Sequence, residues 1–241
     1  MYREGIVTER IFSILQIAVG AAALSVALAP MIAKKGGHAH RRYGSWFVSL
    51  AMFFSLVTWI RIRFLGADLL EFFTAMVAAY FAVSGRRVWI RRAQRGLPIR
   101  RDWALAAITL GGGFGLCGWG AGLAMIKHDR TGGLVLSLGF LAVGGALFDL
   151  KSFLFPSRAT LRWRLSHLAR MLAAFTLIAT ALCWRFSAQF LPPLVLGAAG
   201  LGVAVFFEIR RATVAEARVA ASLIARVKTP FPQDNQARQA E

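Results

Sequence analysis

Seven stretches of roughly 20 predominantly apolar residues, the length a helix needs to cross a hydrocarbon core, run along this chain. They cover 11–33, 45–60, 67–84, 104–126, 133–150, 168–186 and 190–207. A fold that buried all of them away from lipid would need more interior than one domain of 241 residues encloses. Charged residues make up 17% of the chain and mean hydropathy is +0.58, against about 25% charged in soluble domains. Disorder is excluded as well, because it requires low hydrophobicity. The expected fold is an all-α membrane protein: a seven-transmembrane-helix bundle over 1–209, then a cytoplasmic amphipathic helix and polar tail over 210–241. The first stretch is longer than the core of a cleaved signal peptide. No tandem repeat or low-complexity segment divides the chain.

The distribution of Lys and Arg predicts the orientation. With the amino terminus outside, segments 34–44, 85–103, 151–170 and the chain after Phe207 face the cytoplasm and hold 22 of the 29 basic residues. The carboxy terminus is then cytoplasmic, and the localisation expected is a bacterial inner membrane. The formal charge of +18 reads as loops facing anionic lipid headgroups rather than as a nucleic-acid surface, since no compact basic domain exists. Trp46, Trp59, Trp103, Trp163 and Trp184 lie near the expected membrane edges, where indoles prefer to sit.

The fourth stretch carries Gly111, Gly112, Gly113, Gly115, Gly118, Gly120 and Gly122. A phosphate-cradling loop would need a preceding strand and a following Lys, so the spacings Gly111/Gly115 and Gly118/Gly122 read as close helix contact. A retinal Schiff base is excluded for want of a Lys in 190–207. Cys117 and Cys183 sit inside apolar stretches and read as small buried hydrophobes.

Polar residues gather at two levels. At the cytoplasmic face the sequence places His38, His40 and Arg41 before the second span, Asp149 at the end of the fifth, and His167 and Arg170 at the start of the sixth. Three readings apply. Asp149 pairs with Arg170 or a histidine and fixes helix register. Alternatively, His40 (or His38) and His167 on facing helices ligate a b-type haem. The third is a proton- or anion-responsive site. A simple metal site is weaker, because His38-x-His40 lacks a third ligand. At the outer face stand Arg61, Arg63, Asp68, Glu71 and Arg185, either as neutralising ion pairs or as the vestibule of a small-solute or lipid transporter. No nucleophile with its base, paired-carboxylate site or P-loop is present. Thr74, Thr176 and Thr180 read as bonded to their own helices.

Three segments carry a resemblance. Lys35-Gly-Gly-His38-Ala-His40-Arg41-Arg42-Tyr-Gly44 resembles the Lys-Gly…His-Arg…Gly signature of a family of uncharacterised bacterial multi-pass membrane proteins. Phe72-Phe-Thr-Ala through Ser84-Gly-Arg86-Arg87 is similar to that family's aromatic third span. Asp149-Leu, Arg164-Leu-Ser-His167-Leu-Ala-Arg170-Met171 and Leu191-Pro192 resemble its Asp-Leu…Arg-His-Leu-x-Arg-Met…Leu-Pro block. The likeness spans most of residues 34–211 and departs at Ser166, where the family often has Arg. It implies a multi-pass fold and points to the cytoplasmic-face cluster, with no activity attached. The sequence-level expectation is therefore a non-enzymatic accessory or scaffold subunit, or a sensor, within a membrane complex and with no required cofactor. A haem b electron-transfer protein and a transporter are the alternatives.

Overall fold

The computed structural model describes residues 2–66, 68–93, 97–126, 128, 130–155 and 160–187, with Arg210 and Val214 beyond them. Among the described residues there are six α-helices and no strand: α1 Tyr2–Ile32, α2 His38–Leu65, α3 Leu69–Ala93, α4 Arg100–Met125, α5 Arg130–Leu154 and α6 Thr160–Ser187. All six are long and apolar enough to cross a membrane, as a multi-pass membrane protein requires. They account for six of the seven expected spans. The seventh, 190–207, and the C-terminal helix lie outside the described residues, apart from Arg210 and Val214.

The second and third helices run well past the apolar stretches that announce them. The expected spans 45–60 and 67–84 leave Arg61 and Arg63 between them; instead α2 continues through both to Leu65, and α3 begins at Leu69. The physical reason is that charge does not end a helix, whereas a left-handed residue does. Gly66 adopts φ 67°, ψ 31° at the C-cap. At the other end α3 runs through Arg86, Arg87 and Arg91; the heads of Arg87 and Arg91 find carboxylate partners in Asp102 and Asp149.

Helix α3 is the centre of the bundle, packed on α2, α5 and α6. It buries 61% of its apolar window, against 22–39% for the other helices. Its small and aromatic residues Ala75, Ala78, Tyr80, Phe81 and Ala82 enter one core with Phe47, Phe54, Leu138, Ile178 and Ala181. Helices α4 and α5 form a tight antiparallel hairpin beside it. Glycines make that contact, but not the expected pairs. A Cβ on Gly113 would lie 2.8 Å from Val143 Cγ2, and one on Gly139 would lie 2.7 Å from the Cys117 nitrogen. Gly120 and Gly132 press on the backbones of Leu136 and Ala124. Gly111, Gly115, Gly118 and Gly122 face open space among the described residues. The i,i+4 spacing was the right kind of signal with the wrong phase: Gly113 and Gly120, seven residues apart, share the face that meets α5.

Candidate functional site

We call the end bearing the α1–α2, α3–α4 and α5–α6 turns the basic end. Helix α1 finishes there, and the last carbonyls of any helix lack intrahelical partners. His40, on the first turn of α2, resolves this: its Nδ1–H donates to the Pro30 carbonyl at 2.9 Å. The Lys35 ammonium donates to the Met31 carbonyl at 2.9 Å. Across the bundle, α3 and α6 approach closely at Gly85, where a Cβ would lie 2.9 Å from Met171 Sδ and 3.2 Å from Arg170 Cβ. That approach lets the His167 Nδ1–H donate to the Gly85 carbonyl at 2.8 Å.

The two bonds settle the tautomers, because a carbonyl only accepts. Each imidazole thus carries a proton on Nδ1, and in its neutral form keeps Nε2 as the lone-pair donor. The ring centres stand 6.1 Å apart with planes at 65°. Both rings line one cavity of about 490 Å³, within the roughly 300–1,000 Å³ of small-molecule and cofactor sites. Trp89 and Trp163 form part of its wall, with ring centres 5.1 Å apart. Gly44, one helical turn from His40, also lines the cavity, and a Cβ added there would meet nothing. Lys35, Arg41, Arg86 and Arg164 are its charged walls, and among the described residues no carboxylate lines it.

The expected cytoplasmic-face cluster therefore divides. His40, Arg41 and His167 come together at the cavity, while His38 is exposed at the start of α2 and is not among its walls. Asp149 and Arg170 form a separate buried knot. Asp149 accepts from Arg170 at 2.6 Å, Arg91 at 3.3 Å and the Tyr80 hydroxyl at 2.7 Å, so it ties α3, α5 and α6 together. Arg170 also donates to the Ser166 hydroxyl, the position where the resembled family often carries Arg. Two guanidiniums on one carboxylate leave this knot one positive charge in excess.

The outer residues are distributed over four contacts. Arg61 and Glu71 pair at 3.2 Å, 1% and 3% exposed. Gln16 joins them, donating to Glu71 at 2.8 Å and to Thr58 at 2.9 Å while accepting from Arg61. Asp68 accepts from the Trp184 indole at 2.8 Å and from the Leu70 amide at 2.9 Å. Arg185 donates to the Ser13 hydroxyl at 2.5 Å, and exposed Arg63 lies against Phe64. Thr74 and Thr180 bond the carbonyls of Leu70 and Thr176 on their own helices.

Sequence reasoning passed over Tyr80, Arg91, Gly85, Trp89, Gln16 and the Arg87–Asp102 pair. Arg87 grips Asp102 with two bonds of 2.7 and 2.9 Å, and the same carboxylate accepts from the Ile99 amide at the start of α4. One signal was there: Tyr80, Ser84, Arg87 and Arg91 recur at helical spacing and mark a polar stripe along α3.

Comparison of the chain with family models, curated proteins and solved structures yields no match. Among the described residues no group of three or more His, Cys, Asp or Glu side chains stands close enough to hold a metal ion. Two imidazoles anchored through Nδ1 would, when neutral, offer Nε2 to a metal that brings its other ligands with it. Metal-bound histidines characteristically donate the second ring N–H to a carbonyl or carboxylate.

Proposed function

We propose that this chain is a membrane haem protein, holding a b-type haem between His40 and His167 for one-electron transfer at the basic end. The observation that carries the reading is the paired geometry of the two imidazoles. Two metal–nitrogen bonds of about 2 Å laid end to end, with each nitrogen about 1 Å from its ring centre, separate the rings by roughly 6 Å. The observed separation is 6.1 Å. A porphyrin supplies the four equatorial ligands that the protein lacks. With His40 and His167 both holding the metal, the group would supply one-electron transfer rather than an open position for a diatomic ligand. Residues that carry the family resemblance, His40, Arg41, Gly44, His167 and Met171, are walls of this cavity.

The positive-inside bias supports a cytoplasmic basic end, with the amino terminus outside, the carboxy terminus inside and a bacterial inner membrane as the location. A seventh span at 190–207 and a C-terminal helix complete this topology. The test is an absorption spectrum of the detergent-purified protein, oxidised and then dithionite-reduced. A low-spin Soret band with sharp α and β bands on reduction is expected. A colourless protein from haem-replete cells overturns the reading.

A second reading, an accessory subunit without a cofactor, draws on the open face of α4. Gly111, Gly115, Gly118 and Gly122 are unpacked there, and small residues are what membrane helices use to approach each other closely. Purification in mild detergent that always returns the chain alone counts against it.

A further inference from the structure

We infer that Arg41, Arg86 and Arg164 form a carboxylate-binding collar at the mouth of the histidine cavity, which holds the two propionates of the bound porphyrin. The inference rests on the haem reading and adds the direction in which the ring lies, with its carboxylates at the basic end and its apolar edge between the helices. Each of these arginines sits beside a residue that fixes an imidazole. Arg41 follows His40, Arg164 lies one turn before His167, and Arg86 follows Gly85, whose carbonyl anchors His167.

The arginines that line the cavity differ from those held by carboxylates. Arg87 is held by Asp102, and Arg91 and Arg170 by Asp149. The side chains of Arg41 and Arg86 have no hydrogen bond or ion pair among the described residues, and Arg164 stacks over Trp163 at 5.7 Å. These last three line the cavity, whereas Arg100 and Arg101, which also have no carboxylate among the described residues, are not among its walls. Arg42, next in sequence to Arg41, lies instead over Trp46 at 4.9 Å and is not a wall of the cavity. A cavity with apolar walls, aromatic rings and cations without counter-ions at its rim selects an anionic amphiphile, and guanidinium is the group best shaped for a carboxylate.

The test titrates full-length protein, produced without haem, with haem b and with its dimethyl ester, which lacks the two charges. Wild type should bind haem about tenfold more tightly than the ester, the amount expected of two or three partly exposed ion pairs. The combined variant Arg41→Gln/Arg86→Gln/Arg164→Gln should lose that preference and keep a low-spin bis-histidyl spectrum with either ligand. Equal affinities of wild type for haem and ester would overturn the collar and leave the haem site standing. Absence of any Soret band in wild type would instead overturn the haem reading and the collar with it. The same titration in nanodiscs separates propionate from lipid phosphate. Haem binding that persists in phosphatidylcholine but is lost in phosphatidylglycerol would assign the collar to lipid and overturn the proposal.

Discussion

Arg170 donates to Asp149 at 2.6 Å from a position one turn beyond His167 on the same helix. The carboxylate knot thus sets the position of α6, and with it the imagined partner of His40 across the cavity. Breaking a buried ion pair by removing one member leaves the other charge uncompensated, at a cost of about 3–5 kcal/mol. Asp149→Ala strands two guanidiniums at once and should reach the upper part of that range. Tyr80→Phe removes only a neutral donor and should cost about 1 kcal/mol. Thermal unfolding in detergent reads both; equal effects would show that Asp149 does not hold the knot.

His40→Ala and His167→Ala should each convert a low-spin haem spectrum into a high-spin or empty one. His38→Ala should leave it unchanged, because His38 is exposed and outside the cavity wall. Spectra of the three variants at equal protein concentration decide the matter. A change on His38→Ala equal to that on His40→Ala would move the axial ligand to the wrong histidine for this geometry.

The hairpin of α4 and α5 makes a sharp distinction between glycines. Gly120→Ala drives a methyl into the backbone of α5 and should destabilise by about 1–3 kcal/mol through overpacking. Gly118→Ala, on the open face, should change the stability of the monomer by no more than about 0.5 kcal/mol. Comparing their melting temperatures tests the phase of the helix pair.

At the other end of the bundle, Glu71→Gln leaves Arg61 buried without its counter-charge. A loss of about 3–5 kcal/mol is expected, whereas Arg63→Gln at an exposed site should fall within about 0.5 kcal/mol. The double variant Arg61→Met/Glu71→Leu, which removes both charges together, should recover most of the loss, since buried pairs replaced by apolar groups are often neutral. Chemical unfolding of the three variants checks the set.

Apolar length alone determines that this chain makes membrane-length helices, and it does so because hydrocarbon tolerates few other structures. Six of the seven stretches read from it are helices, among the described residues. Basic residues likewise give an expectation of which end faces the cytoplasm, because that bias is a property of loops counted along the chain. Residue type was enough to single out His40, His167, Asp149 and Arg170. It could not say that the first two share a cavity while the second two form a knot with Tyr80 and Arg91. Those partners are chosen by how α3, α5 and α6 rotate against one another, and rotation is set by small residues such as Gly85 and Gly120 meeting a neighbour. A glycine's place on a helix is visible in sequence, but what stands opposite it is not. For the same reason Arg61 looked like a turn residue and proved to be fully buried. Its charge is tolerated because Glu71 and Gln16, from two other helices, meet it there.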